Sequence, residues 1–147
     1  LDRAGTWHVG RPRLDVPVMA AAAALLRGTH DFASFCRKAP GRSTMRTMLA
    51  TDVTRVGDGD RVDVVLHGSA FCHQQVRSTV GCLLLIARGE RDADWLLDLL
   101  RARDRGNTPP IAPPQGLHLE DVGYPAPGHD PTHPAMLDGE ADGSSPP

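Results

Sequence analysis

One cation stands in an otherwise apolar setting. The stretch Phe71-Cys72-His73-Gln74-Gln75-Val76-Arg77-Ser78-Thr79-Val80-Gly81 leads into residues 80–87, apolar apart from one glycine. Cys72, Val76, Val80, Leu83, Leu84 and Ala87 recur at helical spacing, so a buried helix is expected over residues 71–88. An arginine on such a helix is costly unless a carboxylate or phosphate meets it. Arginine stays protonated and presents a rigid fork of donors to such an anion. The chemistry available to Arg77 is therefore to hold a negative oxygen in place. From the residues alone, a structural acid and a functional anion both fit.

A second group of cations precedes it. Arg27, Arg37, Lys38, Arg42 and Arg46 form a basic run relieved only by Asp31. The run suits phosphates, and it equally suits a solvated loop. The formal net charge of −2 gives no general affinity for nucleic acid. Four acids, Asp130, Asp138, Glu140 and Asp142, lie in a tail without Lys or Arg, and removing them makes the balance positive. His30 and Asp31 have the residue types of an acid–base pair, and His73 stands close to Arg77 in sequence.

The three cysteines, Cys36, Cys72 and Cys82, are an odd number with no Cys-x-x-Cys pair. That favours a reducing cytoplasm over a disulfide scaffold. Cys72 and His73 are adjacent and point apart on a helix, so no metal site is expected. Neither a P-loop nor a dinucleotide fingerprint occurs. The apolar stretch Val16 to Leu26 is too short to span a bilayer. The chain of 147 residues opens on Leu-Asp-Arg-Ala rather than Met, which reads as a fragment or a truncated frame.

The elements that must position these residues read in order β-α-β-β-α-α-β. Thr6 to Val9 is expected to be a short strand. Asp15 offers an N-cap, Pro17 suits a first turn, and the helix through Leu26 ends at Gly28. His30 to Phe35 reads as a compact turn or short helix pinned by Phe32 and Phe35, and Pro40 to Ser43 as a loop. Arg46 to Val56 and Arg61 to Gly68 read as a hairpin around Gly57-Asp58-Gly59-Asp60, with Val62, Val64 and Leu66 on the core face. Asp92 caps a helix through Arg103 with Trp95, Leu96, Leu99 and Leu100 inward. Residues 104–115 read as a Pro-rich loop and Gly116 to Val122 as a last strand. This is an α+β fold, an antiparallel sheet with helices packed on one face. Residues 1–125 form the domain; residues 126–147, rich in proline and glycine, read as a disordered acidic tail.

Four blocks together resemble the TruA family of tRNA pseudouridine synthases. They are Gly28 to Phe35; Thr44-Met45-Arg46-Thr47; Ala70-Phe71 through Val76-Arg77 to Val80-Gly81; and Ile111-Ala112-Pro113-Pro114-Gln115-Gly116-Leu117-His118-Leu119 with Val122 and Tyr124-Pro125. The resemblance implies the C-terminal α/β domain of such an enzyme. It also implies isomerisation of uridine to pseudouridine in the tRNA anticodon stem-loop, by a homodimer that needs no metal and no cofactor. Arg77 matches the family arginine that pairs with the catalytic aspartate, where a fixed cation keeps the carboxylate ionised. Leu117 matches a leucine lining the uracil pocket, although it reads equally as core at a strand start. Arg37, Lys38, Arg42 and Arg46 are then candidates for tRNA phosphates, and the block holding His30 and Asp31 is structural.

The departures are specific. Gln75 stands where the family usually has Met, and Ala87 where glycine is usual. The family's Arg-Thr-Asp-x-Gly motif, which supplies the nucleophile, is absent, and Thr51-Asp52-Val53 is no substitute because no glycine follows and it lies in a strand. The tyrosine that stacks on the target base is absent too; the only tyrosine is Tyr124. The chain is thus expected to be the C-terminal half of the enzyme, inactive by itself. The alternative is a non-catalytic RNA-binding or dimerisation module.

Overall fold

The computed structural model describes residues 6–57, 60–107, 109 and 111–119. It divides into the units Leu1–Leu117 and His118–Pro147. Of the second unit only His118 and Leu119 are described, both exposed. The acidic tail lies outside the described residues.

Helix α1, Val16–Ala24, opens on Asp15, whose side chain accepts from the Val18 N–H at 3.2 Å. Strand β1 is Gly28–Asp31, and a single 3-10 turn, Ala33–Phe35, follows it. Strands β2, Met45–Arg55, and β3, Val62–Gly68, complete an antiparallel sheet in the order β1-β2-β3. Helices α2, Gln75–Ala87, and α3, Ala93–Ala102, come next, then a short 3-10 turn at Arg105–Asn107. Asp92 caps α3 by accepting from the Trp95 N–H at 2.9 Å. The expected α+β class, with helices against one face of an antiparallel sheet, holds.

The two faces of the sheet differ because strand side chains alternate. Val62, Val64 and Leu66 of β3 turn to the core, while Val65 is half exposed. On β2, Met48, Thr51 and Val53 are buried, and a bulge between Met48 and Ala50 shifts the alternation by one residue. The same buried cluster holds Met19, Ala22 and Ala23 of α1, Leu26 just beyond it, Cys82, Leu83 and Ile86 of α2, and Leu96, Leu99 and Leu100 of α3. Phe32 and Phe35 meet edge to face with centroids 5.9 Å apart, pinning the turn between them as expected.

Both terminal strands of the expected order are absent among the described residues. Residues 6–9 lie in no strand; arginine side chains hold the chain before α1 instead, Arg88 donating to the Val9 carbonyl and Arg55 to the Leu14 carbonyl. Residues 117–119 are not a strand either, because the Leu117 N–H turns back to the Pro114 carbonyl at 3.1 Å; residues 120–122 lie outside the described set. A strand does form where a turn was expected, at Gly28–Asp31. It lacks apolar alternation but pairs with the start of β2, Gly28 opposite Met48 and Asp31 opposite Met45.

Helix α2 begins at Gln75, four residues later than expected. Its buried stripe runs through Gln75, Ser78, Thr79, Cys82, Leu83 and Ile86; Val76 and Val80 are only half-buried. Cys72 precedes the helix and is joined to Cys36 as a disulfide, Cα atoms 5.6 Å apart. This corrects the expectation of free thiols: the odd count hid one pair, brought together by the fold across 36 residues.

Cys82 remains a free thiol, fully buried. Burial pushes its pKa from 9.0 up to about 12, since a thiolate there would lose its water. The folded chain keeps this proton where the unfolded chain releases it. The stabilisation is complete below about pH 9 and disappears as pH rises toward 12. Denaturant midpoints of the wild type are expected to fall more steeply than those of Cys82→Ala between pH 8 and pH 10.5; parallel declines would remove Cys82 as the cause.

Candidate functional site

The entrance to α2 is built by a turn that closes on itself. The Gln75 N–H donates to the Cys72 carbonyl at 3.0 Å, and the Gln75 side-chain oxygen accepts from the Cys72 N–H at 3.0 Å. Gln75 is 1% exposed, so these bonds satisfy an amide shielded from water. Gln74 takes the left-handed conformation, φ 68°, and stands at the N-cap without a side-chain cap. Its side-chain oxygen accepts from Arg105 at 2.8 Å instead. A left-handed non-glycine residue is held there only because the surroundings fix it. Together these bonds aim the first turn of α2.

Arg77 sits in that first turn, beside the buried stripe, and is half-buried rather than fully buried as expected. Its Nε donates to the Ala112 carbonyl at 2.7 Å, and its own carbonyl accepts from the Ala112 N–H at 3.0 Å. One residue of the Pro-rich loop thus grips both the main chain and the side chain of Arg77. Ala112 is itself 5% exposed, so the grip is shielded from competing water. Among the described residues no carboxylate lies within ion-pair distance of Arg77, and no hydrogen bond engages its Nη1 or Nη2.

The same loop carries Leu117 five residues on. Leu117 is 49% exposed, in a turn made by its own N–H and the Pro114 carbonyl. Gly116 lets that turn form. Its φ is +89°, and a Cβ there would come within 3.0 Å of the Trp7 backbone nitrogen. The loop segment from Ala112 to Leu117 connects the two residues.

The basic run divides. Arg37, Lys38 and Arg42 are exposed. The Arg37 N–H donates to the His73 carbonyl at 2.8 Å, which lays the start of the run along the entrance to α2. Its charge also reaches Arg105, whose pKa is lowered first by burial and then by Arg37. Arg46 folds back, its Nη1 donating to the Ser43 and Met45 carbonyls at 2.9 and 2.7 Å. Arg27 is bound to the hydroxyl and carbonyl of Thr51, at 3.1 and 2.9 Å. Asp31 accepts from the Ala33 N–H at 3.0 Å and the Thr44 hydroxyl at 2.5 Å, a structural post. Asp52 points away from the core on β2, opposite Val65.

Four features of the site escaped sequence reading: the grip of Ala112, the buried amide of Gln75, Arg105 on Gln74, and the Cys36–Cys72 pair. Pro109, Pro110, Pro113 and Pro114 mark the loop in the sequence, but no residue type or spacing signals these contacts themselves. Among the described residues, no three His, Cys, Asp or Glu side chains converge as a metal would need. No helix among them is long and apolar enough to cross a membrane.

Replacing Gly116 by alanine is expected to cost about 1 kcal/mol or more, because the left-handed φ penalises any Cβ and the Trp7 backbone cannot move aside freely. A urea midpoint equal to wild type would refute the turn.

Comparison with known proteins bears on residues 22–125, which match the family described as tRNA pseudouridine synthase. A protein of Ralstonia nicotianae named tRNA pseudouridine synthase A is 46% identical over 113 residues, 76% of this chain and 40% of the relative. Its namesake in Frankia casuarinae is 46% identical over 125 residues, 85% of this chain and 45% of the relative. That of Streptomyces avermitilis is 42% identical over 120 residues, 82% of this chain and 41% of the relative. The chain therefore spans less than half the length of these relatives.

Proposed function

Because the chain belongs to the tRNA pseudouridine synthase family, we propose that it forms one wall of a cleft in which uridine of the tRNA anticodon arm is isomerised to pseudouridine. The observation that carries this reading is the gripped arginine. Ala112 takes the Nε and the main chain of Arg77, which leaves the two Nη groups as a fork for a carboxylate. The carboxylate in question is the catalytic aspartate of the whole protein, contributed by sequence that these 147 residues do not hold; the matched segments cover less than half of each relative.

Arg77 acts in this reading as a positioning residue. Its charge holds the aspartate ionised and oriented, ready for the sugar or base carbon, in a pocket whose closure would otherwise raise the carboxyl pKa. Leu117 offers an exposed apolar side chain at the lip of the same loop, suited to the face of an extruded uracil. Arg37, Lys38 and Arg42 are free on the surface to meet tRNA phosphates; Arg46 would first have to release the two carbonyls it holds. With few aromatic residues, recognition rests on backbone charge and shape. A homodimer in the cytoplasm, with no cofactor and no membrane association, completes the proposal.

The test uses the full reading frame on unmodified tRNA. Arg77→Ala is expected to lower kcat by about 100-fold or more and to move the acid limb of the pH–rate profile upward, because the aspartate then protonates more readily. Arg77→Lys should recover part of the rate. Unchanged turnover in Arg77→Ala removes Arg77 from the reaction, and a rate loss with an unmoved acid limb assigns it a merely structural role. The 147-residue chain alone is expected to make no pseudouridine, measured by base-resolved chemical mapping of the tRNA; product formed by it refutes the divided cleft.

A further inference from the structure

The proposed reaction makes no use of Cys36 and Cys72, yet the fold brings them together. Cys36 follows the turn pinned by Phe32 and Phe35 and is fully buried; Cys72 opens the turn into α2 and is half-buried. Their Cα atoms are 5.6 Å apart, in the middle of the range that a disulfide spans. The next residues of the two segments are bonded as well, Arg37 N–H to His73 carbonyl at 2.8 Å. That bond holds the segments side by side independently of the sulfur chemistry.

The two cysteines stand at the starts of the two segments that the proposed function needs. Cys36 leads directly into Arg37 and Lys38, and Cys72 into Gln74, Gln75 and Arg77. Cys82, the remaining thiol, is buried on α2 and stays protonated, so it does not compete. In a reducing compartment a protein disulfide is typically transient and responsive rather than a permanent staple.

We propose that Cys36 and Cys72 are a reversible dithiol–disulfide couple that, when oxidised, locks the basic segment onto the entrance of α2 and so tunes the affinity for tRNA. The oxidant is a low-molecular-weight disulfide. The more exposed Cys72 gives up its proton and attacks one sulfur, expelling a small thiolate that takes up a proton. Cys36, losing its own proton, then attacks the Cys72 sulfur of the mixed disulfide and expels the second small thiol. Two protein thiols lose two electrons and two protons; one small disulfide gains them and becomes two thiols. The link to tRNA affinity rests on the proposed function, whereas the couple itself does not.

Both parts are tested on the protein from the full reading frame. The first experiment equilibrates it in graded ratios of oxidised to reduced glutathione, quenches with acid, alkylates and maps the peptides. The expected result is one transition in which the Cys36 and Cys72 peptides lose alkylation together and appear linked, lighter by two hydrogens, while Cys82 reacts only after unfolding. Separate glutathione adducts, a bridge that includes Cys82, or no transition across the series overturns the couple. The second experiment measures tRNA Kd on fully reduced and fully oxidised protein. A several-fold tightening on oxidation is expected, absent in Cys72→Ser, a near-isosteric change at a half-buried position. Equal Kd in both forms with the bridge present overturns the coupling to tRNA. Loss of pseudouridine formation under all conditions strikes the proposed function and leaves the sulfur chemistry standing.

Discussion

Ala112 holds Arg77 at two points, and the candidate site depends on that grip. A long side chain on a surface helix ordinarily samples many rotamers. Here a carbonyl fixes the Nε and an amide fixes the helix backbone, from the same residue of a proline-stiffened loop. The loop cannot shift without moving the arginine, and the arginine cannot turn without releasing the loop. A cation fixed in this way meets an incoming anion at little further entropic cost, which is the physical meaning of a prepared site.

The rest of the fold supplies the reference frame for that grip. Helix α1 lies on β2, α2 packs on α1 and on the 3-10 turn at Ala33–Phe35, and α3 meets β1 and that same turn. Residues 72–77 then collect bonds from distant parts of the chain: Cys36 and Arg37 from one side, Arg105 from another, Ala112 from a third. A left-handed residue, Gln74, survives at this crossing because each neighbour is tied. The buried Gln75 shows why a polar residue suits a position where the family usually has Met: its amide returns to the Cys72 N–H, so the turn does not depend on apolar packing alone.

Much of this was legible in the residues. The Asp15 and Asp92 caps, the β2–β3 hairpin, the inward stripe of β3 and the two-phenylalanine pin are local patterns, and each formed as read. What failed was what depends on a neighbour. Gly28–Asp31 becomes a strand only because β2 offers it a partner, and residues 6–9 find no such partner, the Val9 carbonyl going to the Arg88 side chain instead. The late start of α2 was hidden by an apolar periodicity that runs on through Cys72. The arginine and its general role were readable; its partner on the loop was not, since nothing in Ala112 as a residue type announces a contact with Arg77. The cysteine pairing was invisible for the same reason, being a property of two segments that meet only in space.

Arginine itself has a second meaning in this chain. Arg27, Arg46, Arg55 and Arg88 direct their guanidinium groups at main-chain carbonyls, acting as struts between segments far apart in sequence or across a turn. The single lysine, Lys38, stands on an exposed segment, where a point charge is all that the position asks. The two cations are thus not exchangeable currencies of positive charge here. A redesign that trades arginine for lysine throughout would preserve the electrostatic sum and dismantle the scaffolding, because an ammonium lacks the planar fork that reaches two acceptors at once.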